Sequence, residues 1–217
     1  MLNYKIILFD LDGTLTDPKI GITKSVQYAL RKFGIIIDDP NSLTHFVGPP
    51  LNKSFQKYYS FDEEKSMQAV EYYREYFSTK GMFENTVYPG IPELLQKLKE
   101  NKKLLYVVTS KPTYFSEQII KHFELDQYFT KVIGPHMDLS NADKPTLVKE
   151  ALSQHPQENK NSFVMIGDKE HDIIGAKAND VDSIGVTYGY GTKEELEKAK
   201  PTTIVNTVDE LTTLLVK

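Results

Sequence analysis

From about residue 90 onward the chain repeats one pattern, a helical segment followed by a short β-rich run, and few architectures accommodate that alternation. The β-rich runs are LLYVVT (104–109), KVIG (131–134), SFVMIG (162–167), DSIGV (182–186) and TTIV (202–205), joined by KIILF (5–9) near the start. Most lack the polar alternation of a half-exposed strand, which predicts burial on both faces. Helical patterns lie between them at 91–101, 113–123, 144–154, 170–179 and 207–216. Strands separated by helices in this way return in the same direction, so the pattern predicts an α/β fold with a parallel sheet covered by helices.

Residues 17–85 break the rhythm and contain no convincing strand. Ile22, Val26, Ala29, Leu30 and Phe33 recur at helical spacing, as do Met67, Val70, Tyr73 and Phe77, with Gly34 and Gly81 read as stops. Tyr88-Pro89-Gly90 marks the return to the sheet layer. The expected organisation is therefore a core of residues 1–16 and 86–217 with an all-helical domain, 17–85, inserted after the first strand. A chain of 217 residues is long enough for a core plus a modest insertion.

Composition narrows the chemistry. The charge balance is 26 − 30 = −4, which supplies no basic surplus for a nucleic-acid partner. The absence of Cys removes disulfides, thiolate metal sites and a cysteine nucleophile, leaving oxygen and nitrogen groups to do any catalysis. The apolar run Ile6 to Phe9 is too short for a signal-peptide core, and no stretch approaches the roughly 18 apolar residues of a membrane span. A cytoplasmic protein with neither membrane nor nucleic-acid partners is expected.

The sharpest local signal is IILFDLDGTLTD, a buried strand ending in Asp10 and Asp12, followed by Gly13 and Thr14. Ligands of open parallel sheets bind at strand ends of this kind. Further along, LLYVVTS brings Thr109 and Ser110 to the same edge, DKPTL contains Lys144, and IGDKEHD contains Asp168 and Asp172. In this order the four segments resemble the motifs of the haloacid dehalogenase superfamily, in its aspartate-dependent phosphatase branch, and the resemblance spans the whole chain. The resemblance implies a Rossmann-like core with a helical cap inserted after the first motif, as in phosphoglycolate phosphatase-like and 5′-nucleotidase-like members.

The residue types suit that chemistry on physical grounds. A phosphoryl group is anionic, so carboxylates can surround it only if cations neutralise both. Asp10, Asp168 and Asp172 supply hard oxygen ligands, for which Mg²⁺ is the natural ion, and Lys144 supplies a second positive charge. Thr109 and the backbone N–H of Ser110 can hydrogen-bond a phosphoryl oxygen. The resemblance implies that Asp10 forms an aspartyl-phosphate, that Asp12 protonates the leaving alcohol and later deprotonates water, and that Mg²⁺ is held by Asp10, the backbone carbonyl of Asp12, and Asp168. Asp172 then acts as a direct ligand, through water, or by orienting Lys144.

Lys111 is a further candidate for reaching a substrate or a cap carboxylate, with plain surface as the alternative, and Gly48 and Pro49 are candidates in HFVGPPLNKS (45–54), which looks like the substrate-facing loop of the family's cap or else a helix break inside a bundle. His171 is set aside as a ligand because the neighbouring donors are hard carboxylates. The glycine-rich GVTYGYG lacks a nucleotide-loop spacing and reads as a packed surface loop. Tyr58, Tyr59, Tyr72, Tyr73 and Tyr76 could stack on a nucleobase, but at helical spacing they read first as helical core.

The expected activity is hydrolysis of a small phosphomonoester by a monomer or homodimer. Asp12 argues against a metal-free dehalogenase, and a β-phosphoglucomutase-like phosphomutase, which shares all four motifs, is the alternative. A phospho-accepting signalling domain would need neither the insertion nor Asp12.

Overall fold

The computed structural model describes residues 4–138 and 140–216. In chain order its elements are β1 (Ile6–Phe9), β2 (Thr16–Asp17), α1 (Lys19–Lys32), α2 (Leu51–Tyr59), α3 (Glu63–Phe77), β3 (Thr86–Val87), α4 (Ile91–Glu100), β4 (Leu104–Val108) and α5 (Thr113–His122). There follow β5 (Lys131–Ile133), α6 (Lys144–Ser153), β6 (Phe163–Gly167), α7 (Glu170–Lys177), β7 (Asp182–Val186), α8 (Lys193–Ala199), β8 (Thr203–Val205) and α9 (Val208–Leu215). The chain divides into two compact units, Met1–Asp17 with Val87–Lys217, and Pro18–Thr86.

The first unit is an α/β fold around a six-stranded sheet in the order β5-β4-β1-β6-β7-β8, with every pairing parallel. All four residues of β1 and all five of β6 are buried, as strands covered on both faces must be. On one face Ile6, Leu8, Tyr106, Val108, Phe163 and Met165 pack with Leu147, Val148 and Ala151 of α6 and Ala176 of α7. Burying each large apolar side chain of this kind contributes about 1.5–3 kcal/mol.

Chain order runs outward from β1 to β4 and β5 on one side, then returns to β6 on the other. Such a reversal opens a crevice beyond the carboxyl ends of the central strands. The register carries this to single residues, since Phe9 pairs with both Val107 and Ile166. Residues one or two positions beyond those three therefore meet at one edge.

The reading of the sequence omits α8. This segment, KEELEKA, has only Leu196 buried and so shows almost no apolar periodicity. Its start was nevertheless written in the chain, because Thr192 and Glu195 form a reciprocal capping box.

The second unit contains α1, α2 and α3. Helix α1 ends at Lys32, close to the predicted stop at Gly34, which adopts φ +75°. Helix α3 ends at Phe77 with Ser78 as its cap, so Gly81 is not its stop; that glycine begins a short 3₁₀ turn, Gly81–Phe83. Rings of Phe46, Phe55, Phe61 and Phe33 pack in sequence at centroid separations of 5.0, 6.0 and 5.0 Å. Among the five tyrosines read as core, only Tyr73 is buried, whereas Tyr58 is exposed and Tyr59, Tyr72 and Tyr76 are half-buried.

Candidate active site

Strand β1 is prolonged by one residue, because the Asp10 N–H donates to the Ile166 carbonyl at 2.8 Å. The chain then turns tightly, with Gly13 N–H donating to Thr16 O at 2.8 Å and Leu15 N–H to Leu11 O at 2.9 Å. Gly13 has φ +84°, and a Cβ there would stand 2.2 Å from Asp168 Oδ2. Backbone conformation and close approach therefore both require glycine at this position. The turn holds Asp10 and Asp12 at the sheet edge, each more than nine-tenths buried.

Helix α6 delivers Lys144. Asp143 caps that helix through the Thr146 N–H at 3.0 Å, which fixes the first turn and hence the stem of Lys144. Lys144 Nζ donates to Asp10 Oδ1 at 2.9 Å and to the Val108 carbonyl at 3.0 Å, and lies 2.7 Å from Asp172 Oδ1. Burial alone would lower the affinity of this amine for its proton, but Asp10 and Asp172 together hold it above the ordinary lysine range.

Asp168 follows β6, and Asp172 sits in the first turn of α7, where its Oδ2 accepts from the Lys169 N–H at 3.1 Å. Asp168 Oδ2 accepts from the Tyr190 N–H at 2.7 Å, while its buried Oδ1 has no hydrogen-bond partner among the described residues. Asp10, Asp168 and Asp172 offer one oxygen each within 4.8 Å of one another. Burial, reinforced by Asp172 and Asp10, pushes Asp168 up to about 8. Burial pushes Asp172 up to about 6 against the opposing pull of Lys144. Three clustered carboxylates, two of them paired with Lys144 and the third carrying an unpartnered oxygen, fit a hard divalent cation.

Asp12 faces a different cation. Lys111 Nζ lies 2.7 Å from both of its carboxylate oxygens, and the two side chains are 8% and 9% exposed. Burial raises the Asp12 carboxyl above its ordinary value while Lys111 opposes the shift and Asp10 adds to it. Lys111, the candidate for reaching a substrate or a cap carboxylate, engages Asp12, a pairing across 99 positions that no local pattern discloses.

Thr109 is buried beside this cluster; its N–H donates to Ile133 O at 3.0 Å and its Oγ1 accepts from the Lys111 N–H at 3.2 Å. Ser110 Oγ donates to the Ala142 carbonyl at 3.3 Å. Thus Asp10, Asp12, Thr109, Ser110, Lys111, Lys144, Asp168 and Asp172 all belong to the α/β unit, whereas Gly48 and Pro49 lie in the helical unit, in the turn before α2, with Gly48 at φ +104°. His171 is exposed on α7.

One participant escapes the sequence reading. GVTYGYG is not merely a packed surface loop, because Tyr190 bonds Asp168 directly. The available signal was a pair of glycines, Gly189 and Gly191, bracketing a tyrosine just after a strand, a pattern that marks close backbone approach.

A family model described as haloacid dehalogenase-like hydrolase matches residues 7–186. A protein of Pseudomonas aeruginosa named 5′-nucleotidase is 46% identical over 93% of this chain and 90% of its own. A Mycobacterium tuberculosis protein named tyrosine-protein kinase PtkA is 34% identical over 95% of this chain and 71% of its own. The crystal structure of a predicted phosphatase from Clostridium acetobutylicum is 51% identical, covers 98% of both chains and superposes with a TM-score of 0.94.

Proposed function

We propose, for a chain that belongs to the haloacid dehalogenase-like hydrolase family and is a phosphatase of that family, Mg²⁺-dependent hydrolysis of a small phosphomonoester, with 5′-nucleotides and phosphoglycolate as the leading substrates. The observation that carries the reading is the buried cluster of Asp10, Asp168 and Asp172, with Lys144 on Asp10 and Asp172 and with the unpartnered Asp168 Oδ1.

Asp10, Asp168, the backbone carbonyl of Asp12 and Asp172 would hold Mg²⁺, which supplies positive charge opposite the phosphoryl oxygens. Lys144 adds a fixed positive charge on the Asp10 side. Thr109 Oγ1 and the Ser110 N–H hold a phosphoryl oxygen and orient the phosphorus toward Asp10. The Asp10 carboxylate attacks phosphorus; the bond from phosphorus to the leaving oxygen breaks, and Asp12 delivers a proton to that oxygen. Asp12, now anionic, takes a proton from water, whose oxygen attacks phosphorus and releases phosphate and the Asp10 carboxylate. Asp12 must hold a proton for the first step, and its burial favours that form. The pairing with Lys111 fixes the carboxylate in place between steps.

For substrate choice, Gly48 and Pro49 in the turn before α2 are the candidates that the family resemblance offers. The 46% identity to a protein named 5′-nucleotidase supports testing nucleotides first. The experiment is an initial-rate panel of 5′-nucleotides, phosphoglycolate, sugar phosphates, pyrophosphate and a phosphotyrosine peptide, each with Mg²⁺ and with chelator, scoring released phosphate. Full activity in excess chelator refutes the Mg²⁺ requirement. Conversion of a sugar 1-phosphate to its 6-phosphate without release of phosphate would establish the mutase instead.

A further inference from the structure

The loop at 187–191 is joined to Asp168 at one end and to β2 at the other. At the first end the Tyr190 N–H donates to Asp168 Oδ2 at 2.7 Å, and Lys169 Nζ donates to the Tyr190 carbonyl at 3.2 Å. The loop lies so close that a Cβ on Gly191 would stand 1.8 Å from the Asp168 carbonyl oxygen. At the second end the Tyr190 hydroxyl donates to Asp17 Oδ1. Asp17 closes β2 and is the last residue of the α/β unit before the chain runs on into Pro18 and α1. Tyr188 supports the same arrangement, since its hydroxyl donates to the Thr14 carbonyl at 3.1 Å and its ring meets Tyr88 edge-on at 5.1 Å.

We propose that Tyr190 is a positioning residue that ties the Asp168 carboxylate to β2, so that divalent-cation binding at Asp168 and the order of Thr16–Asp17 are coupled. The inference rests on the cation site of the proposed function. Its mechanical basis is that one residue makes both bonds. Oδ2 of Asp168 is pinned by the Tyr190 N–H, which sets the direction of the free Oδ1, and the rigid phenol ring carries any displacement of that peptide to Asp17. Outer-sphere partners that hold a ligating carboxylate in this way commonly change metal affinity by 10–100-fold. Linkage makes the effect reciprocal: if Asp17 helps order the carboxylate, a bound cation must help order Asp17.

Tyr190→Phe removes the hydroxyl and keeps the N–H, so it tests the link without deleting the bond to Asp168. Two measurements on the whole protein without substrate decide the matter: Mg²⁺ binding by isothermal titration calorimetry, and hydrogen exchange of the Thr16 and Asp17 amides with and without Mg²⁺. The expected result is about a tenfold weaker Mg²⁺ affinity in Tyr190→Phe, the lower end of that range because the hydroxyl is one step removed from the carboxylate. Mg²⁺ should slow exchange at Thr16–Asp17 in the wild type and fail to do so in the variant. Asp17→Ala should reproduce both losses by removing the acceptor, which guards against a folding defect peculiar to the Phe variant. Asp17→Asn, which keeps an acceptor for the hydroxyl, should preserve most of both. Equal Mg²⁺ affinity, or equal Mg²⁺-induced protection, in wild type and Tyr190→Phe overturns the coupling while leaving the cation site standing. A wild type that binds no Mg²⁺ at all overturns the cation site and the coupling with it.

Discussion

Replacing Lys144 with Met probes the charge balance of the site most directly. The stem of Lys144 packs on α7, where a Cβ on Gly175 would come within 2.6 Å of Lys144 Cγ, and Met preserves most of that stem. What it removes is the ammonium 2.9 Å from Asp10 and 2.7 Å from Asp172. At an effective dielectric of about 20, each of those attractions is roughly 6 kcal/mol, offset by several kcal/mol for stripping the ammonium of water. The substitution leaves two carboxylates buried without their partner, and such losses cost about 3–5 kcal/mol. For a unit of this size that corresponds to a fall in Tm of roughly 6–20 °C. Thermal denaturation at pH 7 in chelator measures it. The fall should shrink at pH 5, below the value of about 6 to which Asp172 is raised, because Asp172 can then protonate instead of repelling Asp10. Mg²⁺ should also recover part of it by restoring positive charge. A fall below about 2 °C at pH 7, or one equally large at pH 5, would refute the account of Lys144 as the cluster's countercharge.

Asp168 and Asp172 make cation-free wild type pH-sensitive: both start from an unfolded value of 3.8, and their raised folded values mean that their contribution is fully present below about pH 4 and is lost as pH rises toward 8. Denaturation midpoints in chelator from pH 4 to 9 read this slope, and Asp168→Asn should flatten it between pH 6 and 8; an unchanged slope removes Asp168 as its source. Asp10→Asn should cut turnover by about three orders of magnitude or more, because the nucleophile and a metal ligand go together; a tenth of wild-type activity would identify the wrong nucleophile. Asp12→Asn should slow alkyl phosphates far more than aryl phosphates, since an alkoxide needs a proton to leave and a phenolate needs it less. Equal losses on the two substrate classes, compared by kcat/KM, would exclude Asp12 as the general acid.

The layers of the fold were readable from local pattern. Apolar runs such as Ile6–Phe9 and Phe163–Gly167 lack polar alternation, which is what a strand covered on both faces requires. The intervening helical spacing then demands parallel return. The polar residues that follow those runs, Asp10, Thr109 and Asp168, stand at strand ends for the same local reason: an apolar strand stops where polar side chains begin. Helix α8 was hidden because an almost wholly solvated helix leaves no apolar stripe, and only its capping box betrayed it.

Which strands are neighbours is a different matter. Nothing in the runs themselves says that β6 returns to the free side of β1, yet that placement puts Asp168 beside Asp10. Equally, the pairs Lys111 with Asp12 and Lys144 with Asp10, and the bond from Tyr190 to Asp168, span 99, 134 and 22 positions. Sequence determined the elements and the residue types at their ends, because helix and strand periods are properties of neighbouring residues. Only the tertiary structure decided which of those ends face each other and which cation serves which carboxylate, because a buried charge is matched to whatever group packing brings within about 3 Å, however far away it lies along the chain.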